Sequence, residues 1–174
     1  MTFRPIVLCA VLAAGLAITP PVSTAAGQRM QRDAALERAL LSEMNEVRSR
    51  HGLRPLAMSS ELRSAAVSHT RSMAETGLFQ HDSADGSPFH ERVLRYYDTR
   101  GHAWSVGENL AYGSAPLGAT AAVNGWLRSP AHRRNLLNPA WREVGVGAIV
   151  AKQAPGAFHG DTVAIVTADF GRRN

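Results

Sequence analysis

Cysteine is almost absent from this sequence, which has Cys9 and no other among its 174 residues. A single thiol excludes a disulfide framework, a four-cysteine zinc site and a CxxC redox pair. Glycine (15 residues) and proline (9 residues) are too few for a collagenous or low-complexity chain. With 45% hydrophobic and 19% charged residues, the composition indicates an ordinary globular protein, and the length suits one domain.

Familiar catalytic motifs are also missing. The sequence contains no HExxH, no GxSxG, no Walker A loop and no GxGxxG, which removes the enzyme and nucleotide-binding classes that these motifs mark. The net charge of +5 is small, and 18 of the 19 basic residues are arginine. So high a share of arginine more often reflects genome composition than a nucleic-acid surface, so we expect no specific nucleic-acid partner.

The first 26 residues have the three-part pattern of a secretory signal peptide. Arg4 precedes a stretch of thirteen apolar and small residues, 6–18, and the small residues 23–26 form a cleavage site after Pro20 and Pro21. Thirteen residues are too short to span a hydrocarbon core of about 30 Å. An uncleaved membrane anchor remains the alternative. No later run has membrane length, so we expect an exported protein, secreted or associated with the envelope, with no transmembrane segment after signal removal.

Hydrophobic periodicity predicts four helices after a short leader, residues 27–35. Gly52 and Gly77 end the first two, and Ser60 is the expected N-cap of the second. Ser129 and Pro130 are expected to end the fourth. The predicted helices are Arg32–His51, Ser60 to Gly77, Ser87-Pro88 to about Tyr97, and Ala119–Leu127.

Two β-rich runs follow the helices. Residues 143–150 alternate valine or alanine with small residues, and Thr162–Phe170 is a second run. The loop between them contains Pro155, Gly156 and Gly160, so we predict an antiparallel hairpin. Trp104–Ala111 is either a short strand or an extended segment. Helices followed by a terminal hairpin favour an α+β fold in which helices cover a small sheet.

Three side chains are the candidates for chemistry. Glu108 is a charge inside an apolar, glycine-flanked segment, His81 follows the second helix, and His132 follows Ser129-Pro130-Ala131. Two imidazoles and one carboxylate are the ligands of many catalytic zinc sites. Without a metal, the same three could form a hydrogen-bonded polar cluster.

These segments resemble the CAP superfamily (cysteine-rich secretory proteins, antigen 5 and pathogenesis-related 1 proteins), and most of all its cysteine-free bacterial secreted branch, the SCP-like proteins. The resemblance extends from about Leu40 to Gly171. Four motifs in the family's order carry it: Ala74–His81, Gly107–Ala111, Trp126–Leu137 and Glu143–Gly147.

The resemblance implies an α-β-α sandwich, in which a small antiparallel sheet lies between helices, with an open cleft on one face. It also implies one divalent cation, zinc before calcium or magnesium, and no organic cofactor. His81 matches the family's first histidine and Glu108 its first acid. His132 matches the second histidine, thirteen residues before Gly145. Ser129 stands where the family has its second acid.

The function that follows is a binding module for residues 36–174, whose cleft takes an unidentified lipid, glycan or protein. Ser129, Asn109 and Asn135 are further candidates for lining that cleft. One alternative is a metal-dependent extracellular hydrolase, in which zinc lowers the pKa of bound water to about 7. Serine in place of the second acid removes the natural general base for it. A structural envelope protein is the other alternative.

Four other residues have simpler interpretations. His69 lies on the apolar stripe of the second helix and is expected to be a packed, hydrogen-bonded side chain. Glu143 is expected to be a surface charge. Trp126 is expected in the core, and Trp104 is expected to be partly exposed.

Overall fold

Helices and strands alternate through the part of the chain that the computed structural model describes, residues 29–99, 101 and 103–173. The predicted signal peptide, residues 1–26, and the start of the predicted leader lie outside the described residues. The helices are α1 (Ala34–Arg50), α2 (Ser60–Thr76), α3 (Phe89–Leu94), α4 (Ala119–Arg128) and α5 (Pro130–Leu136). The strands are β1 (Met30–Arg32), β2 (Ala57–Met58), β3 (Trp104–Ser114), β4 (Glu143–Ala151) and β5 (Val163–Arg173).

The sheet has the order β1-β4-β5-β3 with antiparallel pairing, and the short β2 pairs with β4 in parallel. The predicted hairpin is confirmed as β4 and β5, joined by a loop with a 3-10 turn at Gly156–Phe158. Part of the predicted leader, Met30–Arg32, pairs with β4. The other outer strand is β3, which the sequence left undecided and which is eleven residues long.

Helices cover both faces of the sheet, so the expected α-β-α sandwich is confirmed. One face packs against α1, α4 and α5 through a core that includes Leu40, Met44, Val123, Trp126, Leu136, Val146, Ala168 and Phe170. The other face packs against α2 and α3 through two smaller clusters. Trp126 is buried as expected, and Trp104 is 40% exposed.

Three helix predictions need correction, and one helix was missed. The first helix begins at Ala34 and not at Arg32, because Arg32 pairs with β4 and Asp33 is the N-cap. The N-cap of α2 is Ser59 and not Ser60, because the Ser59 hydroxyl accepts the backbone N–H of Leu62. The third helix ends at Leu94 rather than near Tyr97, because the chain turns there to bury Tyr97. After α4 ends, Pro130 begins α5, since proline is well tolerated in the first turn of a helix.

Two glycines of β4 let α2 lie directly on the sheet. Val144 and Val146 point to the α1 face, and the alternate residues Gly145 and Gly147 face α2. A Cβ on Gly145 would collide with the α2 backbone at Arg63, and one on Gly147 would lie 2.6 Å from the backbone nitrogen of Val67. The close approach positions α2, and with it the loop that follows α2.

Gly145→Ala is therefore expected to destabilise the protein by about 3 kcal/mol or more. The added methyl group would overlap the backbone of α2, and a helix backbone cannot shift at a single residue to make room for it. Urea unfolding followed by circular dichroism measures the change. Gly125→Ala in α4 is the matched control, since its Cβ meets nothing within 4 Å. That variant should gain about 0.5–1 kcal/mol from helix propensity. Equal stability of Gly145→Ala and wild type would contradict the packing.

Candidate functional site

Glu108 lies at the centre of the candidate site, on the outer strand β3, with its side chain 1% exposed. Its Oε1 is 2.7 Å from Nδ1 of His81, which the loop after α2 supplies. Its Oε2 accepts a hydrogen bond from Nη2 of Arg92 on α3. Both carboxylate oxygens are thus engaged, one by an imidazole and one by a guanidinium.

Arg92 was not identified from the sequence, and it ties the site together. It is 5% exposed, and its Nη1 donates to the backbone carbonyl of His81 at 2.9 Å. One guanidinium therefore neutralises Glu108 and also fixes the loop that carries His81. Charge-assisted hydrogen bonds of this kind are stronger than neutral ones.

His69 is a second histidine behind Glu108, and it is 2% exposed. Its Nε2 lies 2.9 Å from the carbonyl of Gln80 and 3.9 Å from Oε2 of Glu108. The expected packed histidine with a hydrogen-bond partner is confirmed. Burial lowers the pKa of His69, which keeps its imidazole neutral at pH 7.

Asp169 is a buried acid that the sequence analysis missed. It pairs with Glu108 across β3 and β5 and is fully buried. Among the described residues, no donor makes a hydrogen bond to either of its carboxylate oxygens. Burial raises the pKa of Asp169 well above its usual range, and the charge of Glu108 raises it further. The available signal was an acid inside the apolar run of β5, the same signal that marked Glu108.

His132 approaches His81 from the opposite layer of the sandwich. It lies on α5, and its ring centroid is 6.5 Å from that of His81. Burial lowers the pKa of His132, and the positive charge of His81 adds to this. The hydrogen bond to Glu108 raises the pKa of His81. The structure therefore brings His81, Glu108 and His132 to one cleft at the edge of β3.

The two predicted cleft asparagines hold His132 in place. Asn109 is fully buried, and its Nδ2 donates to the carbonyl of His132 at 3.1 Å. Asn135 donates to Oδ1 of Asn109 at 3.0 Å and accepts from Nε1 of Trp141. Asn109 is thus a support behind the cleft rather than part of its wall. Ser129 stands between α4 and α5 and makes no side-chain capping bond.

Glu143 is not the surface charge that the sequence predicted. Its side chain is 25% exposed and accepts hydrogen bonds from the hydroxyl of Tyr97 and from Arg173. It is a partly buried structural acid and not a free surface charge.

The arrangement around Glu108 does not fit a cation as it stands. The described residues contain no group of three or more His, Cys, Asp or Glu side chains that could hold a metal ion. Arg92 takes the oxygen that a cation would need, and its positive charge would repel one. The cation predicted at His81, Glu108 and His132 stays a prediction.

Comparison with known proteins gives the family. The family model described as "CAP: Cysteine-rich secretory protein family" matches residues 41–167. The chain belongs to the CAP family. The "Uncharacterized membrane protein YlbC" of Bacillus subtilis (strain 168) is 34% identical over 113 residues, 64% of this chain and 31% of that protein. This CAP chain thus spans about a third of that relative's length.

Solved structures agree with the fold. An extracellular protein containing a SCP domain from Bacillus anthracis str. Ames matches at a TM-score of 0.62 and 29% identity, over 79% of this chain and 40% of that chain. An outer surface protein from Borrelia burgdorferi matches at a TM-score of 0.69 and 22% identity, over 83% of this chain and 98% of that chain. Within the described residues, no helix is long and apolar enough to cross a membrane.

Replacing Asp169 with asparagine should stabilise the CAP domain at neutral pH. Because the pKa of Asp169 is raised in the folded protein, wild type loses stability as the pH rises above the ordinary value of 3.8. The advantage of Asp169→Asn should therefore be small below pH 4. Above pH 4 the stability difference between Asp169→Asn and wild type should grow by up to about 1.4 kcal/mol per pH unit, until the pH passes the pKa of Asp169 in the folded protein.

Urea unfolding of both proteins across pH 3 to 8 measures this. Asp161→Asn removes an exposed carboxylate just before the same strand and controls for net charge. A destabilised Asp169→Asn protein at pH 7 would show that the native protein uses an ionised Asp169.

Arg92→Gln should increase zinc affinity at least tenfold, because it frees Oε2 of Glu108 and removes a nearby positive charge. Calorimetry near pH 7.5 measures the zinc affinity of each protein. Arg95→Gln is the control, since it removes an exposed arginine at the end of the same helix without touching Glu108. Tight zinc binding by wild type, lost in His81→Ala/His132→Ala, would instead establish the predicted cation site.

Proposed function

We propose that this CAP domain is an exported binding domain whose cleft takes an anionic amphiphile. The observation that carries the proposal is the continuity of the histidine pair with an apolar groove. His132 stands opposite His81 and also lines a groove of about 380 Å³ along the edge of β3. A ligand with one polar and one apolar end fits such a site.

Aromatic side chains form one wall of the groove. Tyr112 is 44% exposed although it is a large aromatic residue. Its ring packs edge-on against Phe79 and Phe158, with distances between ring centroids of 4.7 and 5.1 Å. Leu117 and Ala121 add apolar surface to the groove. An exposed apolar surface that is well packed from behind and lies in a concave site is typical of a ligand pocket.

The polar end of the site favours a negative charge. Arg128 and His132 line the groove, and the raised pKa of His81 favours its protonated form beside them. Arg133 is exposed on α5 next to His132. Arg128, Arg133 and a protonated His81 would attract a carboxylate, sulfate or phosphate head group. His132, whose pKa is lowered, adds no charge there.

Export is supported by the signal-peptide pattern and by the relatives. The Bacillus anthracis protein is described as extracellular and the Borrelia burgdorferi protein as an outer surface protein. The alternatives remain a metal-dependent hydrolase and a structural envelope protein. Binding is favoured over hydrolysis because Arg92 occupies Glu108 and Ser129 offers no carboxylate.

Laurate below its micelle concentration is a suitable probe, with binding measured by calorimetry. Ala121→Glu places a negative charge in the groove at an exposed helix position, and it should weaken laurate binding at least tenfold. Asn124→Glu makes the same charge change on the same helix outside the groove lining. It should stay within twofold of wild type.

Two results would overturn the proposal. One is the absence of laurate binding by wild type. The other is equal weakening by Ala121→Glu and Asn124→Glu, which would indicate a diffuse charge effect rather than occupancy of the groove.

A further inference from the structure

A second groove, the basic groove, lies between α2 and the outer strand β1. It has a volume of about 400 Å³. The strand order β1-β4-β5-β3 places β1 and β3 at opposite edges of the sheet, so the basic groove and the proposed amphiphile cleft are on different sides of the molecule. The lining of the basic groove is Arg32, Arg63, Ser64, Val67, Ser68 and Arg71. Three of these six side chains are cations and none is an acid.

Helix α2 forms one wall of the basic groove. Arg63, Val67 and Arg71 are spaced four residues apart, so they share one face of the helix. Val67 is half-buried, and the two arginines are exposed. Because Gly145 and Gly147 let α2 lie directly on the sheet, this wall has a fixed position. It presents two cations separated by about 12 Å along the helix axis.

The acid nearest to the basic groove does not neutralise the two arginines of α2. Glu37 is paired with Arg32, with its carboxylate oxygens 2.7 Å from Nε and 2.5 Å from Nη2. The side chain of Arg32 is 40% exposed and that of Glu37 is 4% exposed, so the cation is the member of this pair that faces solvent. Among the described residues, Arg63 and Arg71 form no ion pair. The groove therefore has a net positive charge.

The positive charges extend along the surface instead of converging on one point. A chain with repeated negative charges can contact Arg63 and Arg71 at the same time, whereas a small anion bound at one leaves the other without a partner. Beyond Arg71, the exposed Arg29 and Lys152 line the next pocket along α2 and β1, together with Glu75. The ligand that fits this arrangement is a linear polyanion.

The serines of the wall indicate what connects the negative charges. Ser64 and Ser68 lie between Arg63 and Arg71 along α2, and both are exposed. Their hydroxyl groups can hydrogen-bond to a hydroxyl or a phosphate oxygen. Guanidinium groups bind phosphate through paired hydrogen bonds. Phosphate groups joined by a polyol linker therefore match the alternation of arginine and serine.

Two other classes of polyanionic partner fit the basic groove less well. No aromatic side chain lines it, so nucleic-acid bases would gain no stacking there. A bilayer surface would need apolar side chains to insert as well as positive charge. The exposed large apolar residues of the described chain lie elsewhere: Leu78, Tyr96, Trp104 and Tyr112.

We propose that the basic groove binds a linear phosphodiester polymer with polyol linkers, through Arg63 and Arg71 with Arg32 on the facing strand. The site does not depend on the proposed amphiphile cleft. A protein held to such a polymer by its β1 edge would keep the cleft at the β3 edge free for its own ligand.

Fluorescence anisotropy with labelled poly(glycerol phosphate) at low salt tests the proposal. Arg63→Gln/Arg71→Gln should weaken binding at least tenfold. Arg54→Gln/Arg134→Gln is the matched control, since it removes the same charge at two exposed positions outside the basic groove, and it should stay within twofold of wild type. Circular dichroism verifies that both variants fold.

Salt dependence counts the contacts. With three arginine contacts at about 0.7 each, the logarithm of the affinity should fall with the logarithm of salt concentration with a slope of about −2. The slope for Arg63→Gln/Arg71→Gln should be about −0.7, since one contact is left. Glycerol phosphate, a single unit, should bind at least tenfold more weakly than the polymer.

Several outcomes would overturn the proposal. One is the absence of polymer binding by wild type, and another is equal weakening by the two double variants. Tighter binding of oligothymidylate with the same number of phosphates would indicate a nucleic-acid site. Tighter binding of polyglutamate of equal charge would indicate a carboxylate polymer, and binding of phosphatidylglycerol vesicles but not of the polymer would indicate a membrane surface.

The two proposals of this article fail independently. Arg63→Gln/Arg71→Gln should leave laurate affinity within twofold of wild type, because neither residue lines the groove along β3. Ala121→Glu should likewise leave polymer affinity within twofold. If Arg63→Gln/Arg71→Gln weakened laurate and polymer binding equally, the two ligands would share one site and the separate basic groove would be wrong.

Discussion

The ion pair between Arg92 and Glu108 is the contact on which the cleft depends. Glu108 is buried on an outer strand, where an unpaired carboxylate would be very costly, and Arg92 neutralises it. The same guanidinium holds the backbone of His81, and Glu108 holds the ring of that residue. Removing one partner of a buried pair costs about 3–5 kcal/mol. Here, losing Arg92 would also remove the hydrogen bond to the carbonyl of His81, while Glu108 would keep its hydrogen bond to the ring of His81.

The other side of the cleft rests on a separate set of contacts. Helix α5 has seven residues, too few to be stable alone. The fully buried Arg48 of α1 donates to the carbonyls of Leu136 and Asn138 at the end of α5, where a positive charge is favourable. Asn109 holds the carbonyl of His132 from the sheet. His132 is thus fixed by α1 and β3 together, and His81 by α3 and β3.

The parts of this arrangement that could be predicted are those with a local signal. Glu108 interrupts an apolar strand, and the alternation of Val144 and Val146 marks a sheet face. Arg92 had no such signal, because an arginine in a six-residue helix has the pattern of a surface residue. Its role comes from the fold, which places α3 beside β3. Helix α5 was missed because Pro130 can end one helix and begin the next.

The buried charges explain why the cleft favours an anion. Arg92 and Glu108 cancel each other, and burial raises the pKa of Asp169, which favours its neutral form, so these buried groups leave the charge of a proton on His81 uncompensated. That positive charge therefore acts at the cleft together with Arg128.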